Sequence, residues 1–478
     1  MANKSPNSCP KAKKCGGCQL QNMTYAEQLQ YKQNKEERFL GRFGKVNPII
    51  GMENPTHYRN KVQAAFAYDY RHRKLISGVY QSGSHNIVPV DDCMIEDRIA
   101  DEIITDVRKL MNSFKFTAYN EDTGRGFIRH VLVKRGFTTG EIMVVLVSGT
   151  SMFPSRNNFV KALLNLHPEI TTIIHNINPY RTNLVLGKQE KVIYGKGYIE
   201  DKLCGCTFRI SAKSFYQINP VQTEILYNTA IEYAGLTGKE TFFDSYCGTG
   251  TIGIIAATRG AARVIGVELN GDAVRDARSN AKRNNVENIN FYAGDATRFI
   301  TEMADAGEKV DVIMMDPPRA GSTDEFLDAC ARMAPPKIVY VSCNPETLAR
   351  DLRYITKKGY KVDAIQPVDM FPYTNHVETV VLLSQRKPDD VIEIDLDVEE
   401  LDITSAETKA TYREIQQYVL KETGLMVSNL YIAQVKQKYG IIERENYNKP
   451  KSENSRQPKC PPEKEAAIRD ALKHFNMI

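Results

Sequence analysis

The stretch TFFDSYCGTGTIGIIAATRGAARVIGVEL, residues 241–269, holds a strand, a glycine turn, a helix and a second strand. Gly248, Gly250 and Gly253 fall in G-x-G-x-x-G spacing at the strand-to-helix turn, where glycines let a backbone approach a ligand and open a helix N-terminus towards it. Glu268 ends the second strand, in place to accept both hydroxyls of a ribose. Taken alone, this pattern suits NAD and S-adenosylmethionine equally. Three carboxylates tilt it to the sulfonium cofactor. Asp244 precedes the glycines, where a cationic ligand suits it better than a pyrophosphate. Asp295, in AGDA, suits an adenine amino group. Asp316 opens the rigid turn Asp316-Pro317-Pro318 after the fourth strand.

The rhythm continues outward from there. INFYAG, VDVIMMD, KIVYVSC, YKVDAIQPV and VETVVLLSQ are further apolar strands, with helices expected near 296–305, 324–333 and in TLARDLRYITKK. Seven strands alternating with helices predict a doubly wound, Rossmann-like α/β sheet over 206–388, with ligands beyond the carboxyl ends of the strands. Upstream, KVQAAFAYDY, HVLVKRG, EIMVVLVSG and TTIIHNI alternate and are rich in β-branched residues, which predicts a mostly antiparallel β domain within 1–205. Ala26–Phe43 reads as an amphipathic helix with Leu29, Phe39 and Leu40 on its apolar side. Residues 389–402 carry eight acidic and no basic residues, marking a boundary before a helical module over 389–478. Its helices are expected at 408–422 and 429–439, with Gly424 and Gly440 as stops and Ser428 as a cap.

Composition bounds the function. The chain has 478 residues, 42% hydrophobic and 25% charged, an ordinary globular balance for two or three domains. No apolar run is long enough for a membrane span and the N-terminus lacks a signal-peptide core, so a cytoplasmic protein without a membrane partner is expected. Residues 1–48 hold nine Lys/Arg against three Glu, compatible with a polyanionic partner. Ten cysteines in that compartment favour metal or catalysis over disulfides.

Cys343, in KIVYVSCNPETLARDL, ends the fifth strand just before a helix, where dipole and open amides favour a thiolate. Methylation at carbon 5 of uracil needs such a nucleophile. Thiolate addition at carbon 6 makes carbon 5 an enolate carbon, and a base must afterwards remove its proton. Arg319 follows the Pro-Pro where amino-group methyltransferases carry a stacking aromatic. Glu378 is the candidate base and His376 its competitor. Cys204, Cys206, Cys330 and Cys460 read as small hydrophobes, and Cys247 as a backbone contact in the glycine loop. Cys9, Cys15 and Cys18 give C-x5-C-x2-C, and Cys93 in VDDCMIEDR completes a four-thiolate set suited to zinc or an iron–sulfur cluster.

SFYQINP, FFDSYCGTGTIG, MMDPPR, VSCNPETLARDL and PYTNHVE, in that order, resemble the RNA uracil-C5 methyltransferases that use S-adenosylmethionine. The resemblance spans roughly residues 9–385. It implies Cys343 as nucleophile, Glu378 as base, and Gln217, Tyr246, Glu268 and Asp316 as cofactor contacts. Its ribosomal-RNA members carry a [4Fe-4S] cluster on the same cysteine arrangement, which points to 23S rRNA as partner of a monomeric enzyme. A tRNA uracil-5-methyltransferase and a non-catalytic iron–sulfur RNA-binding factor are the alternatives. Many ribosomal members begin with an OB-like domain, which this chain does not show before the cysteines. The ribbon GRGFIRHVLVKRG, with Arg125, Arg129, His130, Lys134 and Arg135, is expected to face RNA. Lys436 and Lys438 offer a weaker phosphate contact on a helix that reads better as a packing appendage.

Overall fold

The computed structural model describes residues 9–81, 84–182, 184–386, 412–439, 460–475 and 477. Contacts divide the chain into two units, Met1–Pro388 and Asp389–Ile478.

The first unit opens with a single turn, α1 (Ala12–Cys15), and the helix α2 (Tyr25–Leu40), followed by a 3-10 turn over Gly41–Phe43. A first sheet follows, built from β1 (Lys61–Asp69), β2 (Lys74–Tyr80), β3 (Ile87–Pro89), β4 (Ile128–Arg135), β5 (Ile142–Ser148), β6 (Ile170–Ile177) and β7 (Gln189–Gly195). Its order is β3-β2-β1-β4-β5-β6-β7, and only the β5–β6 pair is parallel. Two helices not read from the sequence, α3 (Arg98–Ser113) and α4 (Arg156–Leu166), cover one face, and α4 supplies that crossover. Val131, Val133, Val144 and Leu146 pack on that side, while Leu132, Val145 and Val147 join the core of the second sheet on the other. The strands are therefore buried on both faces, which is why β4 and β5 read as near-continuous apolar runs. A hairpin, β8 (Ile199–Leu203) and β9 (Cys206–Ile210), leads into the second sheet.

That sheet comprises β10 (Thr241–Asp244), β11 (Arg263–Glu268), β12 (Ile289–Ala293), β13 (Val312–Met315), β14 (Lys337–Ser342), β15 (Tyr360–Val368) and β16 (Glu378–Gln385). Its helices are α5 (Pro220–Ala234), α6 (Thr251–Thr258), α7 (Gly271–Arg283), α8 (Ala296–Asp305), α9 (Asp324–Met333) and α10 (Pro345–Thr356). The order is β12-β11-β10-β13-β14-β16-β15. The seven expected strands are present, and β16 runs antiparallel between β14 and β15. Alternate residues divide between two cores: Phe242, Val264, Val312 and Val339 on one face, Phe243, Ile265, Ile313 and Ile338 on the other.

The apolar side expected of α2 is corrected. Of its three residues only Leu40 is buried, and Gln28, Lys32 and Glu36 complete the buried stripe at four-residue spacing. Gln28 Oε1 accepts from the Tyr373 amide at 2.8 Å, and Glu36 Oε2 from the Thr379 hydroxyl at 2.8 Å. Lys32 Nζ lies 2.5 Å from Asp369 Oδ1, both side chains fully buried, and also donates to the Phe371 carbonyl at 3.0 Å. These partners are the segment that leads into β16.

The second unit contains α11 (Tyr412–Thr423), α12 (Asn429–Lys438) and α13 (Pro462–His474) around Ile415, Val419, Ile432, Val435, Ile468 and Leu472. Ser428 caps α12 by accepting from Tyr431, and Gly424 holds a left-handed φ of 70°. Lys436 is buried and Lys438 pairs with Glu465, so neither is a free phosphate contact. Gly440 and the acidic run 389–402 lie outside the described residues. Among the described residues no helix is long and apolar enough to cross a membrane.

Removing one member of a buried ion pair strands the other charge, which costs about 3–5 kcal/mol. Lys32→Met is expected to lower unfolding stability by that amount in chemical denaturation. Lys32→Met with Asp369→Asn should cost less than the sum of the single changes.

Candidate active site

Four neighbouring strands, β10, β13, β14 and β16, each deliver one chemically active side chain to the same edge of the second sheet. Asp244 ends β10, Asp316 follows β13, Cys343 follows β14 and Glu378 begins β16. Ser342 pairs with Thr379 in the antiparallel β14–β16 ladder, so the next step of the register sets Cys343 opposite Glu378. At about 4.8 Å between strands, the row spans roughly 14 Å.

A cleft opens at one end of this row. Among its walls are Phe215, Tyr216, Gln217, Tyr227, Asp244, Tyr246, Gly248, Thr251 and Asp316. The glycine turn is shaped as its spacing implies. Gly248 and Gly250 hold left-handed φ values of 53° and 80°, and a Cβ on Gly250 would meet Phe291 Cζ at 2.6 Å. Asp244 Oδ2 accepts from the Gly253 amide at 2.9 Å, and Glu268 Oε2 from the Gly248 amide at 3.1 Å. Gln217, Tyr246, Gly248 and Asp316 thus line the cleft, with Glu268 bracing its turn from behind. Asp295 is placed differently: it is exposed, is not among the lining residues, and caps α8 by accepting from the Arg298 amide at 2.9 Å. Phe215, Tyr216, Tyr227 and Thr251 were not expected. The first two lie in SFYQINP, where an aromatic pair beside Gln217 was the available signal.

Burial governs the electrostatics. Desolvation, with smaller contributions from Asp316 and Glu268, pushes Asp244 up to about 7 despite its amide hydrogen bond. Desolvation alone carries Asp316 to about 7. Glu378 is 6% exposed and raised well above the ordinary carboxylate value by burial, then by Asp316 and Glu36, with Arg319 opposing. The thiolate expected at Cys343 is corrected by the same forces. Burial, Glu378 and Asp316 raise its thiol to about 11, and Arg319 offsets this only in part. The helix start contributes little because Asn344 occupies the cap, its side chain accepting from the Glu346 amide at 3.1 Å. His376 is held below its usual value by burial and by Arg319, Lys35 and Lys32, which keeps it neutral.

Cys9, Cys15, Cys18 and Cys93 are free thiols. Cys18 and Cys93 pack against one cluster of Met52, Tyr58, Ile95 and Tyr373. Burial raises both, and Cys15 and Cys9 add to the shift at Cys18. Among the described residues, however, no three Cys, His, Asp or Glu side chains are arranged to hold a metal ion, so the expected ligand set is not formed. Cys204, Cys206, Cys247 and Cys330 are buried.

The basic ribbon is corrected too. Arg129 is 2% exposed, paired with Glu121 at 2.7 Å and donating to the Asn178 and Tyr180 carbonyls. Lys134 donates to the Ser211 and Ser214 carbonyls at 2.8 and 2.9 Å, and Arg135 pairs with Asp97. Of the ribbon's four Arg and Lys side chains, only Arg125 is fully exposed. The strand is covered on both faces, so its cations are consumed inside the protein.

A family model described as tRNA (uracil-5-)-methyltransferase matches residues 24–386. An uncharacterised RNA methyltransferase of Caldanaerobacter subterraneus subsp. tengcongensis is 46% identical over 381 residues, covering 79% of this chain and 84% of that protein. One of Clostridium acetobutylicum is 44% identical over 384 residues, covering 79% and 83%. The crystal structure of Pyrococcus abyssi tRNA (uracil-54, C5)-methyltransferase with S-adenosyl-L-homocysteine aligns at a TM-score of 0.65 and 29% identity, covering 80% of this chain and 88% of that one. With the match running from α2 to the end of the second sheet, this chain belongs to the tRNA (uracil-5-)-methyltransferase family of RNA methyltransferases.

Proposed function

We propose that the chain methylates carbon 5 of a uridine in 23S rRNA, through a covalent adduct between Cys343 and carbon 6 of the base. The register that sets Cys343 opposite Glu378, with Asp316 and the cleft on the next strands, carries this reading. Bound in the cleft, S-adenosylmethionine supplies an electrophilic sulfonium methyl. Gln217, Tyr246 and Gly248 would hold it in the cleft and Glu268 at its turn, with Asp295 the expected contact of the adenine amino group. Asp244 and Asp316, desolvated and short of counter-cations, favour its positive charge. Cys343 gives its proton to solvent or a neighbouring carboxylate and adds to carbon 6. The enolate carbon 5 would then take the methyl group, the electrons of the S–CH3 bond remaining on sulfur in the neutral thioether S-adenosylhomocysteine. Glu378 removes the carbon 5 proton, and the electrons of that C–H bond restore the double bond and expel the thiolate. Asp316, beside both, orients the base.

The ribosomal target is read from Cys9, Cys15, Cys18 and Cys93, four thiol donors of the type a [4Fe-4S] group takes, of which Cys18 and Cys93 pack on one apolar cluster. Such a group would tie the N-terminal segment to the loop around Tyr373. A tRNA target is the second reading, favoured by the activity of the Pyrococcus abyssi protein. The enzyme is read as a cytoplasmic monomer.

Incubation with S-adenosylmethionine and 5-fluorouridine-substituted RNAs, 23S fragments beside tRNA, decides between them on a denaturing gel. Fluorine cannot leave as a proton, so the adduct should persist on a 23S fragment and vanish with Cys343→Ala. An adduct on tRNA alone selects the second reading. No adduct, from protein that binds the cofactor, rejects the covalent mechanism. On unsubstituted RNA, Glu378→Gln should accumulate adduct and lose about 10²–10⁴-fold in turnover.

The raised carboxyls predict proton-linked cofactor binding. In the free protein Asp244 and Asp316 hold protons below about pH 7. A cationic ligand favours their ionised form, so affinity should fall as the pH drops through that value. Titration calorimetry should show about tenfold weaker binding at pH 6 than at pH 8 for each linked group. A pH-independent affinity would remove these carboxyls from cofactor recognition.

A further inference from the structure

One face of the first sheet carries a groove that the catalytic row does not use. Gln63, Tyr80, His85, Arg129, His130 and Val185 are among its walls. The Tyr80 ring, 37% exposed, meets the buried His130 ring edge to face, with centroids 6.0 Å apart at 76°, so the imidazole backs an open tyrosine ring. His130 is 4% exposed and its Nδ1 has no hydrogen-bond partner. Burial and the adjacent Arg129 hold its ring neutral, with an ordinary proton affinity lowered to about 4. The exposed Gln63 amide offers a donor and an acceptor, the pairing a nucleobase edge requires. Arg129 is fixed by Glu121 and two carbonyls, which makes that wall rigid.

The groove leads to the active site. Lys61, Gln63 and Ala65 alternate along β1 on the face shared with Lys134, Leu132 and His130, their partners on β4. From Ala65 to Lys61 the strand covers about 13 Å at roughly 3.3 Å per residue. It ends beside Asn60, whose amide donates to the Ile218 carbonyl, next to Gln217 of the cofactor cleft. Lys61 is half-buried and, among the described residues, its ammonium has no hydrogen-bond or ion-pair partner. It stands directly across from the buried Lys134 and near Arg59; Asp276 and Glu190 act on Lys134 and Glu96 on Arg59, while among those residues no anion is set against Lys61 itself. Like charges opposed on two strands are unfavourable unless an anion joins them.

We propose that this groove is a second nucleotide subsite, which takes one unpaired nucleotide flanking the target uridine, its base on the open face of Tyr80 and its phosphate on Lys61. The proposal rests on the reading of the chain as an enzyme that acts on RNA. Unpaired bases stack on aromatic rings, and a phosphate is the anion that the track lacks. The subsite would fix the register of the strand so that the target reaches Cys343.

The test uses the full chain and a short fluorescein-labelled oligouridylate, read by anisotropy across a salt series. Tyr80→Ala should weaken binding about tenfold. Lys61→Gln should weaken it about threefold and reduce the slope of log affinity against log salt by about 0.7. For Tyr80→Ala, cofactor affinity measured in parallel should be unchanged and reports an intact fold; for Lys61→Gln, an unchanged denaturation midpoint does so. Photocrosslinking with 4-thiouridine should label the peptide carrying Tyr80. Unchanged affinity and slope in both variants, labelling confined to other peptides, or no binding by the unaltered chain would each overturn the subsite. Trapping on 5-fluorouridine RNA reports on Cys343 instead. A chain that forms the adduct while remaining indifferent to both substitutions keeps the covalent mechanism and loses the groove.

Discussion

The site depends on the cost of keeping carboxyl groups away from water at one edge of a parallel sheet. Asp244, Asp316 and Glu378 arrive there on neighbouring strands, and each is pushed towards its neutral form. A carboxylate in this state is a better base than one in water, and it welcomes a cation that restores its charge. The arrangement thereby suits both halves of a methyl transfer: a sulfonium donor at one end of the row, and a proton to be taken from carbon at the other. The same field works against Cys343, whose thiol is held protonated by the neighbours it needs later. Arg319 is the cation that the structure sets against this, and a bound sulfonium would add a second. On the proposed mechanism, cofactor binding and thiol activation would be coupled through charge for that reason.

The second support is α2. Its polar stripe does for the loop 369–379 what an apolar face does for an ordinary helix. Gln28 holds the Tyr373 amide, Lys32 holds Asp369 and the Phe371 carbonyl, and Glu36 holds Thr379. A hydrophobic stripe would bury the helix equally well but would leave these loop groups without partners. Ion pairs and hydrogen bonds have direction, so they fix where Glu378 begins β16 as well as that the loop is covered.

Much of this was legible in the residues. The central strands of the second sheet, β10, β13 and β14, are short, largely apolar runs that lead into Asp244, Asp316 and Cys343, and strands buried on both faces leave that trace. Strand direction leaves none, so the antiparallel insertion of β16, which sets Glu378 opposite Cys343, emerges only from the fold. The stripe on α2 was hidden for a related reason. Gln28, Lys32 and Glu36 look solvated by composition, and their partners lie more than three hundred residues away in sequence. The ribbon Arg129–Arg135 misled in the opposite sense: it carries basic residues on both sides of Val131–Val133, yet lies between α3 on one side and the loop 211–217 on the other. Its lysine, Lys134, serves that loop by holding the Ser211 and Ser214 carbonyls.

Lys134 also shows how the two sheets act as one machine. Its ammonium is anchored on β4 of the first sheet, and its two acceptors begin the loop that carries Phe215, Tyr216 and Gln217 into the cofactor cleft. Burial lowers its proton affinity to about 7, with Lys61 opposite adding to the effect. A phosphate arriving at Lys61 would oppose that repulsion and strengthen the grip of Lys134 on the loop. RNA on the first sheet and cofactor in the second would then favour one another through a single buried cation, without any movement of the domains. Reciprocity follows, since whatever RNA does for cofactor affinity the cofactor must do for RNA.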